Sequence, residues 1–146
     1  MCPPRASLAA VIVLALLEAG CERGSDRLQK RSDLPFGDIN TPAESPLELR
    51  GSAPAIFLGW ALAEDGIAEV NLYVDRRLVR STALFLRSPD VARVFPTFAT
   101  AGTAGFGIEL AARDVGPGRH EVVVQARSNR GATRDLRRYE VIASAP

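Results

Sequence analysis

Few side chains in this chain are of types that carry chemistry, and the two cysteines come first. Cys2 and Cys21 both lie within the first 21 of 146 residues. The remainder has no thiol, which excludes a disulfide framework, a cysteine-ligated zinc site and a cysteine nucleophile from the folded part. His120 is the one histidine, so a multi-histidine metal site is excluded as well. It opens a strand in phase with Val122 and Val124 and reads as a partly buried, hydrogen-bonded side chain rather than a base. No serine or acid stands at a catalytic spacing from it, and Ser128 and Ser144 fall in a turn and a tail. The expectation is that the chain is not an enzyme and carries no cofactor. Acidic residues near turns, Glu64, Asp65, Asp75, Asp90 and Asp114, are of the kind that ligate calcium from loops. The Asp-x-Asp-x-Asp-Gly loop is absent, so turn-forming and capping roles are expected and no metal site is assigned. Two aromatics, Trp60 and Tyr73, are the candidate ligand-binding residues, because a reader of peptide or glycan needs an exposed ring with a polar tip. Tyr73 falls on the outward face of its strand. For Trp60, in "AIFLGWALA", either alternate set can face inward, and packing competes with ligand reading.

The surroundings of Cys21 point to export. Leu8 to Leu17 is an unbroken apolar run of ten residues behind one positive charge, Arg5. That suits a signal-peptide core and falls short of the roughly 20 residues needed to span a bilayer. Ala19 and Gly20 then offer the small side chains a signal peptidase requires. The stretch resembles a bacterial lipoprotein signal, in which a leucine-like residue and two small residues precede the modified cysteine. Ala19, Gly20 and Cys21 match, while Glu18 stands where that family usually has leucine. The resemblance implies removal of residues 1–20, a lipid on Cys21 and a membrane-anchored product. Glu22 follows the cysteine where an aspartate tends to retain such proteins in the inner membrane, so the outer membrane or cell surface is the expected location. Secretion without lipid, or an uncleaved short anchor, are the competing readings of the same run.

Charge excludes other partners. With 18 basic and 17 acidic residues the net charge is +1, so no global field draws the chain to nucleic acid. The densest basic stretch, Arg127, Arg130, Arg134, Arg137 and Arg138, is interrupted by Asp135 and has no interleaved aromatics. It reads as a solvated strand-and-turn face, with anion binding the sharper alternative. Residues 21–46 read as an extended, disordered tether. The run "ERGSDRLQKRSD" holds a single aliphatic residue, and Pro35, Gly37, Pro42 and Pro46 follow.

From Leu47 the pattern becomes strands and turns. Val70, Leu72 and Val74 alternate with Glu69, Asn71 and Tyr73. Phe106, Ile108 and Leu110 form a second inward set, and Val122, Val124 and Ala126 a third, with Val123 facing out. Turn residues separate them: Asp65-Gly66, Gly116-Pro117-Gly118 and Asn129 to Gly131. A last strand spans Thr133 to Ala143, with Tyr139 and Val141 or Ile142 in the core. In "SPDVARVFP", Ser88 suits a helix cap, Pro89 the first turn, and Val91 and Phe95 share a face, so one short helix belongs to a crossover. The expectation is an all-β sandwich of about seven strands over residues 47–143.

"GWALAEDGIAEVNLYVD" (59–75), "SPDVARVFP" (88–96), "AGFGIEL" (104–110) and "GRHEVVVQARSNRG" (118–131) together resemble the immunoglobulin-like, or fibronectin-III-like, modules of bacterial surface and secreted proteins. The resemblance implies Gly59 and Ala61 inside and Trp60 outside. Arg76-Arg77 departs from the glycine turn of such modules, which implies a wider hairpin there. Such modules serve many purposes, so the resemblance speaks for the fold; the signal, the tether and the isolated sandwich together lead to the expectation of a non-enzymatic, envelope- or surface-tethered binding module with an unknown protein or glycan partner. The alternative is a structural accessory lipoprotein that supports an envelope complex or enzyme with no ligand of its own.

Overall fold

The alternating segments pair as two facing sheets because each has one apolar side to hide. The structure is a computed structural model and describes residues 33–84 and 86–145. The expected signal, Cys21 and the first part of the tether lie outside the described residues. Strands β1 (Phe36–Thr41), β3 (Ala55–Leu62) and β6 (Gly105–Leu110) form a three-stranded sheet in the order β1-β3-β6. Strands β2 (Leu47–Leu49), β4 (Ile67–Val74), β5 (Arg77–Thr82), β7 (Gly118–Ser128) and β8 (Thr133–Ala143) form a five-stranded sheet in the order β2-β8-β7-β4-β5. All neighbours are antiparallel except β2, which runs parallel to β8. The result is an immunoglobulin-like β-sandwich.

The core lies where the alternation places it. Val70, Leu72, Val74, Phe106, Ile108, Leu110, Val122 and Val124 are all buried in one cluster, joined by Phe57, Tyr139 and Val141. Phe57 and Tyr139 meet edge to face across the sheets at 5.2 Å between ring centres. Phe57, Gly59 and Ala61 are the inward set of β3. Gly59 is there because a Cβ would stand 2.4 Å from the Asp38 carbonyl oxygen. Ile142 is half-buried on the outer side, so Tyr139 and Val141 are the inward residues of β8.

Two boundaries are corrected. The sandwich has eight strands, and β1 lies inside the segment expected to be a tether up to residue 46. Pro and Gly content masks its anchors: Ile39 is buried in the main core, and Phe36 packs on Trp60. The segment that carries the chain from one sheet to the other is held by side chains of β8. Tyr139 donates its hydroxyl to the Pro42 carbonyl at 2.9 Å, and Arg137 donates to the carbonyls of Ile39 (3.1 Å) and Ala43 (2.8 Å). The second correction concerns Arg76-Arg77. The β4–β5 hairpin is tight, with only Asp75 and Arg76 between the strands, both at positive φ (48° and 68°). Aspartate tolerates that region, and hydrogen bonds from β7 to the Asp75 carboxylate hold the turn in place.

The crossover between β5 and β6 carries a short helix, α1 (Pro89–Val94), and a 3-10 turn, Ala101–Thr103. Ser88 does not cap α1 with its side chain. Its hydroxyl instead donates to the Ala101 carbonyl (2.6 Å) and accepts from the Ala104 amide (2.8 Å), fastening the two ends of the crossover together. The crossover covers the Trp60–Leu62 end of the outer face of the three-stranded sheet and leaves Ile56 and Leu58 exposed. A second helical turn, α2 (Ala112–Val115), links β6 to β7.

Candidate functional site

The two candidate ligand readers sit on opposite sheets and have opposite environments. Trp60 points outward from β3 but is covered. Its ring meets Phe36 edge-on at 6.0 Å and lies tilted against Phe95 at 5.4 Å, while Phe98 packs against Phe36 and Phe95. Leu62, Ala101 and Ala104 are buried beneath this group. Trp60 is therefore a partly buried member of a second, smaller core, and its surroundings favour packing, the role that competed with ligand reading in the sequence. Val91 and Phe95, placed on one face by the helical spacing, supply part of that cover.

Tyr73 is half-buried on the outer face of the five-stranded sheet, where no crossover lies. Directly opposite it on β5 is Leu78, and on β7 Val123. Leu78 is 52% exposed, whereas Val123 is nearly buried at 8%. Around this apolar island runs a ring of charged and amide groups. Arg76, Glu121, Gln125, Asp135 and Arg138 line, with Tyr73 and Val123, a shallow depression of about 340 Å³. Arg138 pairs with Asp135 (2.8 Å) and with Glu121 (3.6 Å), and Gln125 donates to Asp135 (2.8 Å). At the far side of the face Arg127 pairs with Glu69 at 2.9 Å, and Asn71 bridges Glu69 and the Ser81 hydroxyl. Hydrogen bonds from Asn71 and Arg127 hold the Glu69 carboxyl below the ordinary carboxylate range. The basic stretch 127–138 is thus dispersed: Arg127 and Arg138 join ion pairs on this face, and Arg137 turns to the β1–β2 connection.

The turn acids do not converge. Asp65 binds the Arg130 amide and Asp90 pairs with Arg93 at one end of the sandwich. Asp75 and Asp114 are at the other, bound to His120 and Arg80 respectively. Among the described residues no three His, Cys, Asp or Glu side chains gather in a group able to hold a metal ion.

His120 is satisfied, as expected, and its partners are not legible in the sequence. Nδ1 lies 2.7 Å from Asp75 Oδ2 and Nε2 lies 3.2 Å from the Gly116 carbonyl. Asp75 Oδ1 accepts the Glu121 amide at 3.0 Å, and the Asp75 amide donates to the Glu121 carbonyl at 2.9 Å. Hydrogen bonding to His120, then the Glu121 amide, lowers the Asp75 carboxyl. The same contact raises His120 above its ordinary 6.5, against a partial burial that works the other way. Nearby, partial burial pushes Asp114 up, but Arg80 and the Ala111 amide outweigh it and hold the group low.

No protein-family model and no curated protein matches the chain. The likeness is to solved folds. The fibronectin(III)-like modules of Clostridium thermocellum CbhA are 16% identical with a TM-score of 0.50, over 76% of this chain and 47% of that one. A Jonesia denitrificans lytic polysaccharide monooxygenase is 11% identical with a TM-score of 0.43, over 72% of this chain and 62% of that one. The chain thus spans about half the length of the first. The class is a fibronectin-III-like β-sandwich, and at these identities the likeness concerns the fold alone.

Proposed function

We propose that this chain is a non-enzymatic, lipid-anchored interaction module of the bacterial envelope that uses the open face of its five-stranded sheet to bind a protein partner. The observation that carries the binding half is the Tyr73–Leu78–Val123 island with its rim of arginine, glutamine and carboxylates. Tyrosine and arginine around a small apolar centre are the composition of a protein-binding surface. A glycan fits less well, because the rim groups that would meet sugar hydroxyls already satisfy one another. The anchoring half rests on the sequence: an apolar run of ten, two small residues, then Cys21. A second or third acyl chain holds a protein on a bilayer where one chain does not, each buried methylene contributing about 0.8 kcal/mol.

Metabolic labelling with a palmitate analogue tests the anchor. Wild type incorporates label and fractionates with membranes; Cys21→Ser does neither. A mature N-terminus with a free thiol at Cys21, or a cleavage site elsewhere, contradicts it. Co-purification from intact envelopes tests the partner: the full chain retains a protein that Tyr73→Ala and Leu78→Asp both lose. If neither substitution changes what is retained, the face is not a binding surface, and the accessory role without a ligand takes its place.

A further inference from the structure

We propose that His120 works as a proton-operated latch between the β4–β5 turn and the C-terminal end of α2. The chemistry of its two partners sets the protonation state of the ring. A carboxylate oxygen and a backbone carbonyl are acceptors only, so a ring that bonds both must carry a proton on each nitrogen. At Nδ1 and Nε2 the partners are of these two kinds, Asp75 Oδ2 and the Gly116 oxygen. The geometry is therefore that of an imidazolium. A neutral ring has one N–H, and whichever tautomer it takes, one nitrogen then sets a lone pair against an acceptor. The Asp75 contact is the shorter, 2.7 Å against 3.2 Å, so the Gly116 contact is the one given up.

The surrounding charges leave Asp75 as the group that governs this proton. In the turn, Arg76 acts on Asp75 rather than on the ring. On β7 itself, Arg119 pairs with Glu140 of β8, and Glu121 engages Asp75 through its backbone. Arg138 of β8 is taken by Glu121 and Asp135. On α2, Asp114 faces Arg80 at 2.8 Å and caps the Ala111 amide at 3.1 Å.

These last bonds define what moves. The start of α2 is fixed by Asp114, whose carboxyl stays ionised throughout the range in which a histidine titrates. Its end is fixed by Gly116, at φ 80°, whose amide bonds the Ala112 carbonyl and whose own carbonyl is held by His120. Loss of the proton frees the end and leaves the start in place. Gly116 and Pro117 line, with Gly51, Ser52 and Ser144, a groove of about 580 Å³. The latch is fastened at acid pH and released at alkaline pH, and its release loosens the Gly116–Pro117 side of that groove.

A two-dimensional NMR titration of the full chain from pH 5 to 9 decides it, reading the His120 ring carbons and the Gly116 and Gly118 amides together. The latch requires a His120 midpoint above 6.5, the same midpoint at both glycine amides, and a several-fold rise in Gly116 exchange, after correction for intrinsic rates, above that midpoint. Asp75→Asn must lower the midpoint, and His120→Gln must abolish the titration of the glycines. A His120 midpoint at or below 6.5, or glycine amides that do not follow it, overturns the proposal. Both deciding readings come from wild type, so the test holds even if a variant fails to fold.

Discussion

The two sheets treat their outer faces differently. On the three-stranded sheet Trp60 and Leu62 are roofed by a crossover that brings Phe95, Phe98 and Ala101, while Phe36 closes the side. On the five-stranded sheet Tyr73 has no roof and is ringed by paired charges. Each aromatic is an outward residue on a central strand, and both satisfy the same sequence rule for an exposed ring. What separates them is whether a segment distant in sequence folds over them. An outward aromatic is thus evidence for a ligand only where the crossover leaves it bare.

Stability measurements sharpen the contrast. The largest loss belongs to neither face but to the layer between them. Leu72 is fully buried, and Leu72→Ala leaves a cavity that costs about 2–5 kcal/mol, measurable by urea denaturation. A loss below about 0.5 kcal/mol would show that the inward face of β4 is misplaced. Trp60→Ala follows, at about 2–3 kcal/mol, from lost burial and two aromatic contacts. Tyr73→Ala costs less, under about 1 kcal/mol, because one side of the ring faces water. On the proposed function its expected effect is on partner retention, read by co-purification. Equal losses for Trp60→Ala and Tyr73→Ala would erase the distinction between the faces.

The smaller effects concern the end of the sandwich. His120 is raised in the folded state, so its contribution is complete below 6.5 and disappears as pH rises through the folded value. Asp75 is lowered, so its contribution is present above 3.8 and disappears as pH falls through the folded value. The pair is strongest between these limits, and thermal unfolding of wild type and of His120→Gln should converge as pH rises through the folded His120 value, above 6.5. Arg76→Gly is the mildest change. It relieves a left-handed arginine and gains at most about 1 kcal/mol, part of which is offset by the freer unfolded chain.

Much of the sandwich is legible in the sequence because period-two alternation is a local property. Val70, Leu72 and Val74 face inward as their spacing predicts, and the last strand spans Thr133 to Ala143. β1 escapes such a reading because its evidence is not local: Ile39 is buried only against strands that come later, while Pro35, Gly37 and Pro42 speak for a linker. The helix beside Ser88 is its nearest partner in sequence, yet its hydroxyl bonds residues 13 and 16 positions away. The His120–Asp75 pair, 45 residues apart, leaves no signal at all in one sequence. Tyr73 stands out by its outward phase alone; Leu78, its partner across the hairpin, is recoverable only with the tight turn that the arginines disguise.

The open face of the five-stranded sheet, and not the roofed one, is the face proposed to meet a partner. A photo-crosslinking residue placed at Leu78, beside Tyr73, tests it in intact envelopes of the producing cell, with the same residue at Leu58, 40% exposed on the other sheet, as its counterpart. One discrete protein adduct is expected from position 78, lost when Tyr73 is alanine, and none from position 58. No adduct at 78, or the same adduct at both positions, contradicts it.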